Sequence, residues 1–524
     1  MNVVNVTNVK TELADVVVVG GGGTGLAAAI EARSLGRSVI LIEKNPKVGG
    51  TTAWSVGSIT ATNTPHQLAA GIQDSPAHHS EDMGRFLAHD PRFANGVPAP
   101  TEIEELRRLL ADNSPDTIRW LMEKGVVFFG PMPELPHRKP RMHNIVPNSQ
   151  AYIYHLERRA RKIGVDIRVN ARAQRFVREG NRVTGVECAG ADGALTQYLT
   201  RGAVVLASGD YSANPEMKAQ YISAQAARIG PINPTSTGDG QRMATDIGAR
   251  VLNGQLSFYS LRFPAPAQRA LVQRIPPWPV VTKSIVWALK NLPQWLLRPV
   301  VLGYVTTFLV PETKMFNEGA IFVNKSGQRF VDELDKPDMA LLDQPGQCAW
   351  AIMDDTVARK FSQWPYYIST APGVAFAYLN DYRRNRPDVY KCADSLPALA
   401  QLLNMPADAL TATVESYNRD VAGKSGGCRP TIGAGPYHAL GPIMNLMGFT
   451  DGGLAINTKL EVLDANNQSI PGLLAAGSAG QGGLLLLGHG HHLGWGFTSG
   501  RLAGRNAAYR VTNADLPEAA KSAV

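Results

Sequence analysis

The sequence predicts an α/β protein in which a parallel-sheet domain is split by an inserted α+β cap. Three observations predict it. Residues 15–43 carry a strand, a glycine-rich turn, a helix and a second strand in close succession. A second glycine-rich block, at 469–505, lies at the far end of the chain. Between them, residues 251–438 interrupt the pattern with basic, tryptophan-bearing and proline-rich stretches. At 524 residues the chain exceeds what one hydrophobic core serves. We expect a first domain part at 1–250, the cap at 251–438 and a second domain part at 439–524.

Residues 15–25 read DVVVVGGGGTG, and the apolar run VILIE ends on Glu43. Gly20, Gly22 and Gly25 have the G-x-G-x-x-G spacing of a dinucleotide turn. The first glycine permits the sharp turn, the second a close approach of backbone to pyrophosphate, the third packing of helix on sheet. The helix N-terminus, with unpaired N–H groups and a favourable dipole, would hold the pyrophosphate. Gly23 and Thr24 belong to the same turn. Glu43 is spaced to accept from a ribose hydroxyl, with Lys44 beside it.

The residues after Lys44 select the dinucleotide. Residues 47–59 read KVGGTTAWSVGSI, and Gly50, Thr51, Thr52 and Gly57 can lay backbone flat against a planar ring system. A nicotinamide domain would continue its alternating strands and helices instead. The strand AVVLASGD ends in Ser208, Gly209 and Asp210, and residues 233–249 begin polar and turn helical, with Thr237 or Asp239 as the expected cap. The far block SIPGLLAAGSAG brings Gly477 and Ser478, and the loop before LGWGFTSGRLAGRNAA brings His492 and Leu493. A cofactor site built from both ends of a long chain is the habit of two-domain flavoproteins. The expected domain is Rossmann-like and its cofactor FAD.

Composition narrows the partners. A formal charge of +8 and a pI near 9.2 permit nucleic-acid binding, yet no nucleic-acid module or arginine-rich tail supports it. The four cysteines (188, 348, 392 and 428) are scattered without a C-x-x-C pair, which suits a reducing cytosol. The first fifteen residues lack the basic and apolar regions of a signal peptide, so a cytoplasmic location is expected.

Residues 247–311 contain no Asp or Glu, but carry Arg250, Arg262, Arg269, Arg274, Lys283, Lys290 and Arg298 with Trp278, Trp287 and Trp295. Charges and prolines break any clean apolar run of membrane-spanning length. A basic, tryptophan-bearing amphipathic stretch such as 262–311 suits a peripheral contact with a bilayer surface, a lid over an apolar pocket, or a subunit contact. Each favours a lipophilic small-molecule substrate. The electron acceptor or donor is not legible.

The segments GGGGTG, EKNPKVGGTTAWSVGS, VVLASGDYSANPEM, STGDGQRMATDIGA, GAIFVNKSGQRFVDE, DGGLAINTKLEVLD, SIPGLLAAGSAG and LGWGFTSGRLAG together resemble the fumarate reductase/succinate dehydrogenase flavoprotein family. Within it, GGTTAWSVGS and HHLGWGFTSGRLAG are most similar to 3-ketosteroid dehydrogenases of the Δ4 type. The resemblance implies FAD, and desaturation of a carbon–carbon bond next to a carbonyl or the reverse reduction. It implies noncovalent FAD, because Ser55, Val56 and Gly57 stand where a histidine linkage would be sought. The chain departs from the dicarboxylate reductases: Lys336 and Pro337 fall where their arginine proton donor is expected, and GHGHHLG replaces their arginine loop. It departs from the ketosteroid pattern too. Gly490 matches the backbone donor to the ketone, but Leu486 or Leu487 stands where a tyrosine is expected.

Desaturation next to a ketone needs a hydride acceptor, a donor toward the developing enolate oxygen and a base for the α-proton. The Gly490 N–H suits the second role, one such preorganised donor being worth roughly 3–4 kcal/mol. His489 is the expected acid, base or carbonyl donor, since histidine titrates near neutrality. Tyr367 and Lys336 are the other base candidates, the lysine only if burial lowers its pKa. The spacing of His489, His491 and His492 invites a metal, but loop histidines without carboxylate company rarely converge, and no metal is expected.

Overall fold

Val16, Val17, Val18 and Val19 are buried on both faces of a central strand, which explains a continuous apolar run in place of alternation. That strand, Lys10–Val19, lies parallel to Leu195–Leu206 on one side and Val39–Ile42 on the other. Ser469–Ala475 extends the sheet beyond Leu195–Leu206, and Asp166–Arg168 extends it beyond Val39–Ile42. The computed structural model describes residues 9–90, 99–266, 274–308, 311–371, 375–422 and 429–511. The sheet thus takes strands from both ends of the chain.

Two helices cover the same strands. Helix Gly23–Ser34 packs against the terminal helix His491–Tyr509 at very short range. A Cβ on Gly504 would lie 2.1 Å from the Ala28 carbonyl oxygen, and one on Gly500 2.4 Å from that of Thr24. The glycines one turn apart in GFTSGRLAG are therefore a packing stripe.

A second sheet is built on one long strand, Tyr437–Thr450, which pairs with Cys348–Asp354, Ser257–Arg262, Tyr390–Ala393 and Gly230–Pro231. The turn-rich composition before 438 marks the entry to this strand, so the sheet runs on to Thr450 and takes in residues 230–231, past both edges of the expected 251–438 unit. Residues 423–428 of that composition shift lie outside the described residues.

The basic segment is helical in two pieces, Pro279–Asn291 and Gln294–Phe308. Residues 267–273, with Arg269, and 309–310 lie outside the described residues. No helix among the described residues is long and apolar enough to cross a membrane.

Candidate active site

One continuous cavity of about 1480 Å³ runs from the first glycine turn, between the two sheets, to the loop before the terminal helix. A typical small-ligand pocket holds about 300–1,000 Å³, so there is room for a dinucleotide and a second molecule. The glycine turn, Glu43, Lys44, residues 50–52, 54–57 and 208–210 line one reach, and residues 486–490 with His492 and Leu493 line the other.

At the first reach the turn is as the spacing predicts. Gly20 has φ +109°, and a Cβ there would meet the Ala207 carbonyl oxygen at 2.3 Å. Gly25 does not line the cavity; a Cβ there would lie 1.8 Å from Gly20 O, so it sets the helix on the strand. Gly22 caps the helix without a side-chain bond, leaving the N-terminus open for an anion, and Gly23 N donates to Thr52 Oγ1 at 3.2 Å. Glu43 is only 6% exposed, and its carboxylate accepts from Gly21 N and Asn45 N, each at 2.8 Å. Lys44 pairs with Asp239 at 2.9 Å, and Arg172 joins that carboxylate at 2.9 Å. The helix after 238 is capped by Gly238 in the left-handed region; Asp239 is its first residue, and Thr237 accepts from Lys44 Nζ instead.

Burial raises the Asp210 pKa, and its carboxylate accepts from Ser212 and from Thr450 N. Ser208 Oγ is buried without a partner among the described residues. Gly477 lies behind the cavity wall, donating to Ser499 Oγ at 2.8 Å, while Ser478 lines it. A helix N-terminus whose cap, Gly22, has no side chain, an unpartnered Ser208 hydroxyl and a buried acid at the second strand end all fit FAD. Thr51 and Thr52 line the middle, with Asn233 and Ser236, whose side chains hydrogen-bond Thr51 Oγ1.

The other reach carries two histidine–carboxylate pairs on either side of Gly490. His489 Nδ1 lies 2.5 Å from Glu134 Oε1, and His489 N donates to the same oxygen at 3.0 Å. The Glu134 hydrogen bond raises the His489 pKa. His492 Nε2 lies 2.9 Å from Asp451 Oδ1, its ring 4.3 Å from that of Phe449. Gly490 itself has φ +85°, and a Cβ would meet Thr60 N at 2.6 Å. Its N–H has no acceptor among the described residues. Leu486, Leu487, Phe129, Met132, Phe258 and Phe449 make the surrounding wall apolar. Into it reaches Arg262, whose guanidinium lies 5.9 Å from the centroid of the Phe258 ring and whose pKa burial lowers.

His491 turns away from its neighbours. It is buried with His79 and His137, and its Nε2 is 3.3 Å from His79 Nε2. One nitrogen from each ring lies within 4.8 Å of the others, the spacing of a metal site. However, His137 Nδ1 accepts from Arg141 Nη1 at 2.9 Å, which leaves the proton of the neutral ring on Nε2. As built, the cluster lacks a third lone pair for an ion. Arg141 is fully buried and is held by Asp74 and Asp82.

Two catalytic candidates lie elsewhere. Lys336 is exposed, at the left-handed start of a short helix, and does not line the cavity. Tyr367 packs on Phe376 and under the Lys314 ammonium and does not line the cavity. No tyrosine lines it among the described residues. Sequence reasoning missed Glu134, Asp451 and the cavity role of Arg262. Glu134 lay in a proline-rich stretch with no spacing signal, and Arg262 was one of seven basic residues.

The profile described as FAD binding domain matches residues 15–274 and 284–485. A probable fumarate reductase of Shewanella frigidimarina is 30% identical over 518 residues, 95% of this chain and 75% of its own. A 4-oxocyclohexanecarboxylate 2-dehydrogenase of Sinomonas cyclohexanicum is 26% identical, over 97% of this chain and 95% of its own. The open conformation of a flavocytochrome c3 fumarate reductase superposes with a TM-score of 0.70 at 27% identity, covering 96% of this chain and 79% of that one. A 3-ketosteroid Δ4-(5α)-dehydrogenase of Rhodococcus jostii RHA1 shares the fold, with a TM-score of 0.58 at 24% identity over 97% of this chain and 99% of that one. The chain belongs to the FAD-binding fumarate reductase family and is an FAD-dependent oxidoreductase acting on carbon–carbon bonds.

Proposed function

We propose that the protein desaturates a bulky, apolar cyclic ketone at the bond next to its carbonyl. The observation that carries this reading is the chamber at 486–490 and 492–493, walled by Leu486, Leu487, Phe258 and Phe449, and furnished with two adjacent donors. Bound FAD would supply the hydride acceptor, held by the glycine turn, Glu43 and residues 50–52 and 54–57, and the α-proton would leave to His492, the chamber histidine that Asp451 orients. The Gly490 N–H and the His489 ring, neighbours in the chamber lining, would donate to the substrate's carbonyl oxygen and stabilise negative charge as it develops. Glu134 raises the His489 pKa, favouring the protonated ring, and fixes its orientation, leaving Nε2 for the substrate. His492 is oriented by Asp451 and sits beside Leu493, where it suits contact with the flavin ring. The apolar wall strengthens the Gly490 donor, while the His489 side chain stays largely exposed. Lys336 and Pro337, which fall where the dicarboxylate reductases' arginine is expected, do not line the chamber and so offer no cation there to a fumarate-like substrate. The 4-oxocyclohexanecarboxylate dehydrogenase supports the reading, since its named substrate is a cyclic ketone.

A second reading runs the reaction backwards, as an ene-reductase of an activated alkene. Arg262 in the chamber favours it for a substrate that also bears an acid group, and a protonated His489 would then deliver the proton. Turnover of cyclic ketones with an artificial electron acceptor, followed by mass spectrometry, tests the first reading. A product lighter by two hydrogens supports it. Enone consumption by the dithionite-reduced protein, with no ketone turnover, replaces it by the second.

A further inference from the structure

Helix Pro279–Asn291 presents two different faces. Ile285 and Leu289 line the chamber, whereas Val280 is 77% exposed and Trp287 61%. At about 100° per residue, Val280 and Leu289 lie roughly half a turn apart, and Trp287 falls beside Val280. Lys283 and Lys290 follow the edge of the exposed face. Trp278, just before this helix, is 56% exposed, and Trp295, on the next, 71%. Three tryptophans thus stand in water on a helix pair whose inner side is substrate-chamber wall.

The charge around them is one-sided. Arg274, Lys283 and Lys290 are exposed and form no ion pair among the described residues, while Arg298 is neutralised by Asp381 at 2.7 Å. Residues 247–311 hold no acid to balance them. A second copy of this chain is a poor occupant, because a two-fold contact would set these lysines against themselves. Indole rings favour the water–hydrocarbon boundary, and basic side chains favour anionic headgroups. Together they are the two signals that stable peripheral attachment needs.

We propose that this face docks on an anionic bilayer surface, and that the substrate passes from the bilayer into the chamber beside Ile285 and Leu289. The entry route rests on the reading of an apolar substrate; the docking does not. FAD-loaded protein is sedimented with phosphatidylcholine vesicles, with and without phosphatidylglycerol. Binding to the anionic vesicles alone is expected, and Lys283→Glu/Lys290→Glu should weaken it at least about tenfold. The same variant should keep its FAD and an unchanged rate of flavin bleaching by a water-soluble ketone. Trp287→Ala/Trp295→Ala should also weaken binding. No sedimentation, binding indifferent to these substitutions, or a dimer dissolved by them would each overturn the docking. Docking without bleaching by any ketone strikes the functional reading and the entry route and spares the docking; bleaching without docking strikes the inference alone.

Discussion

His489 Nδ1 meets the Glu134 carboxylate at 2.5 Å, joining residues 355 positions apart at the wall of the substrate chamber. Glu134 raises the His489 pKa, so the ring is protonated over a wider pH range than a free histidine. If the protonated ring donates to substrate, activity is lost as pH rises through that raised pKa. Glu134→Gln removes the charge, and the basic limb of the kcat/KM profile should shift to lower pH. A profile whose limb stays in place would remove His489 from the donor role. The pair adds little to stability, because the His489 side chain is 64% exposed. Its contribution is present below the unfolded histidine pKa and is lost as pH rises through the folded one.

The glycine turn separates packing from binding. Gly22 has φ −74°, and a Cβ there would have no neighbour nearer than 4.0 Å. Gly22→Ala should therefore fold with an unchanged apoprotein Tm, while FAD affinity falls at least about tenfold, equivalent to about 1.4 kcal/mol. Gly20→Ala should lower the Tm of the apoprotein, since backbone strain alone costs about 1–3 kcal/mol. Equal effects of the two on Tm would contradict this assignment.

The buried histidines set an acid limit on stability. Burial holds His137 to about 2, His143 to about 3 and His491 to about 4, and pushes His79 well down. All four are neutral in the fold, whereas the unfolded chain protonates them below about 6.5. Stability from these groups is complete above that pH and falls below it, by up to about 1.4 kcal/mol per pH unit for each histidine. Urea midpoints measured between pH 8 and 5 should be level at first and then drop steeply. A level midpoint down to pH 5 would show that these rings accept protons in the fold.

Arg262 distinguishes the two substrate readings. Arg262→Met removes this cation from the chamber and leaves an apolar side chain in its place. For a neutral ketone KM should change by less than about threefold, under about 0.7 kcal/mol. For an acid-bearing alkene it should rise by tenfold or more, equivalent to at least about 1.4 kcal/mol. KM for both substrate types, measured on one preparation, settles the choice.

Much of the cofactor reach was legible because its signals are local. The turn at Gly20–Gly25, the acid at Glu43 and the threonines after Gly50 follow one another in sequence, and backbone geometry fixes their meaning. The catalytic reach was legible only in part. His489 and Gly490 lie in one loop, but their partners arrive through tertiary contacts: Glu134 from a turn 355 residues away, Asp451 from just past the end of a long strand. His491 looked like a member of the same loop triad, yet it pairs with His79, 412 positions away. Lys336 required burial to act as a base, and no local pattern distinguishes a buried lysine from the exposed one found. The basic tryptophan segment gave its composition readily. Which of its residues face the chamber became visible only with the helix in place.

The central claim is that this chamber removes two hydrogens from an apolar cyclic ketone. The most direct measurement is anaerobic mixing of the oxidised, FAD-loaded protein with a panel of saturated cyclic ketones, 3-ketosteroids included, following the flavin absorbance. Bleaching by at least one neutral ketone, slowed at least about tenfold in His489→Ala with its FAD retained, is the predicted result. A flavin that stays oxidised across the whole panel, yet is reoxidised by enones after chemical reduction, would contradict it.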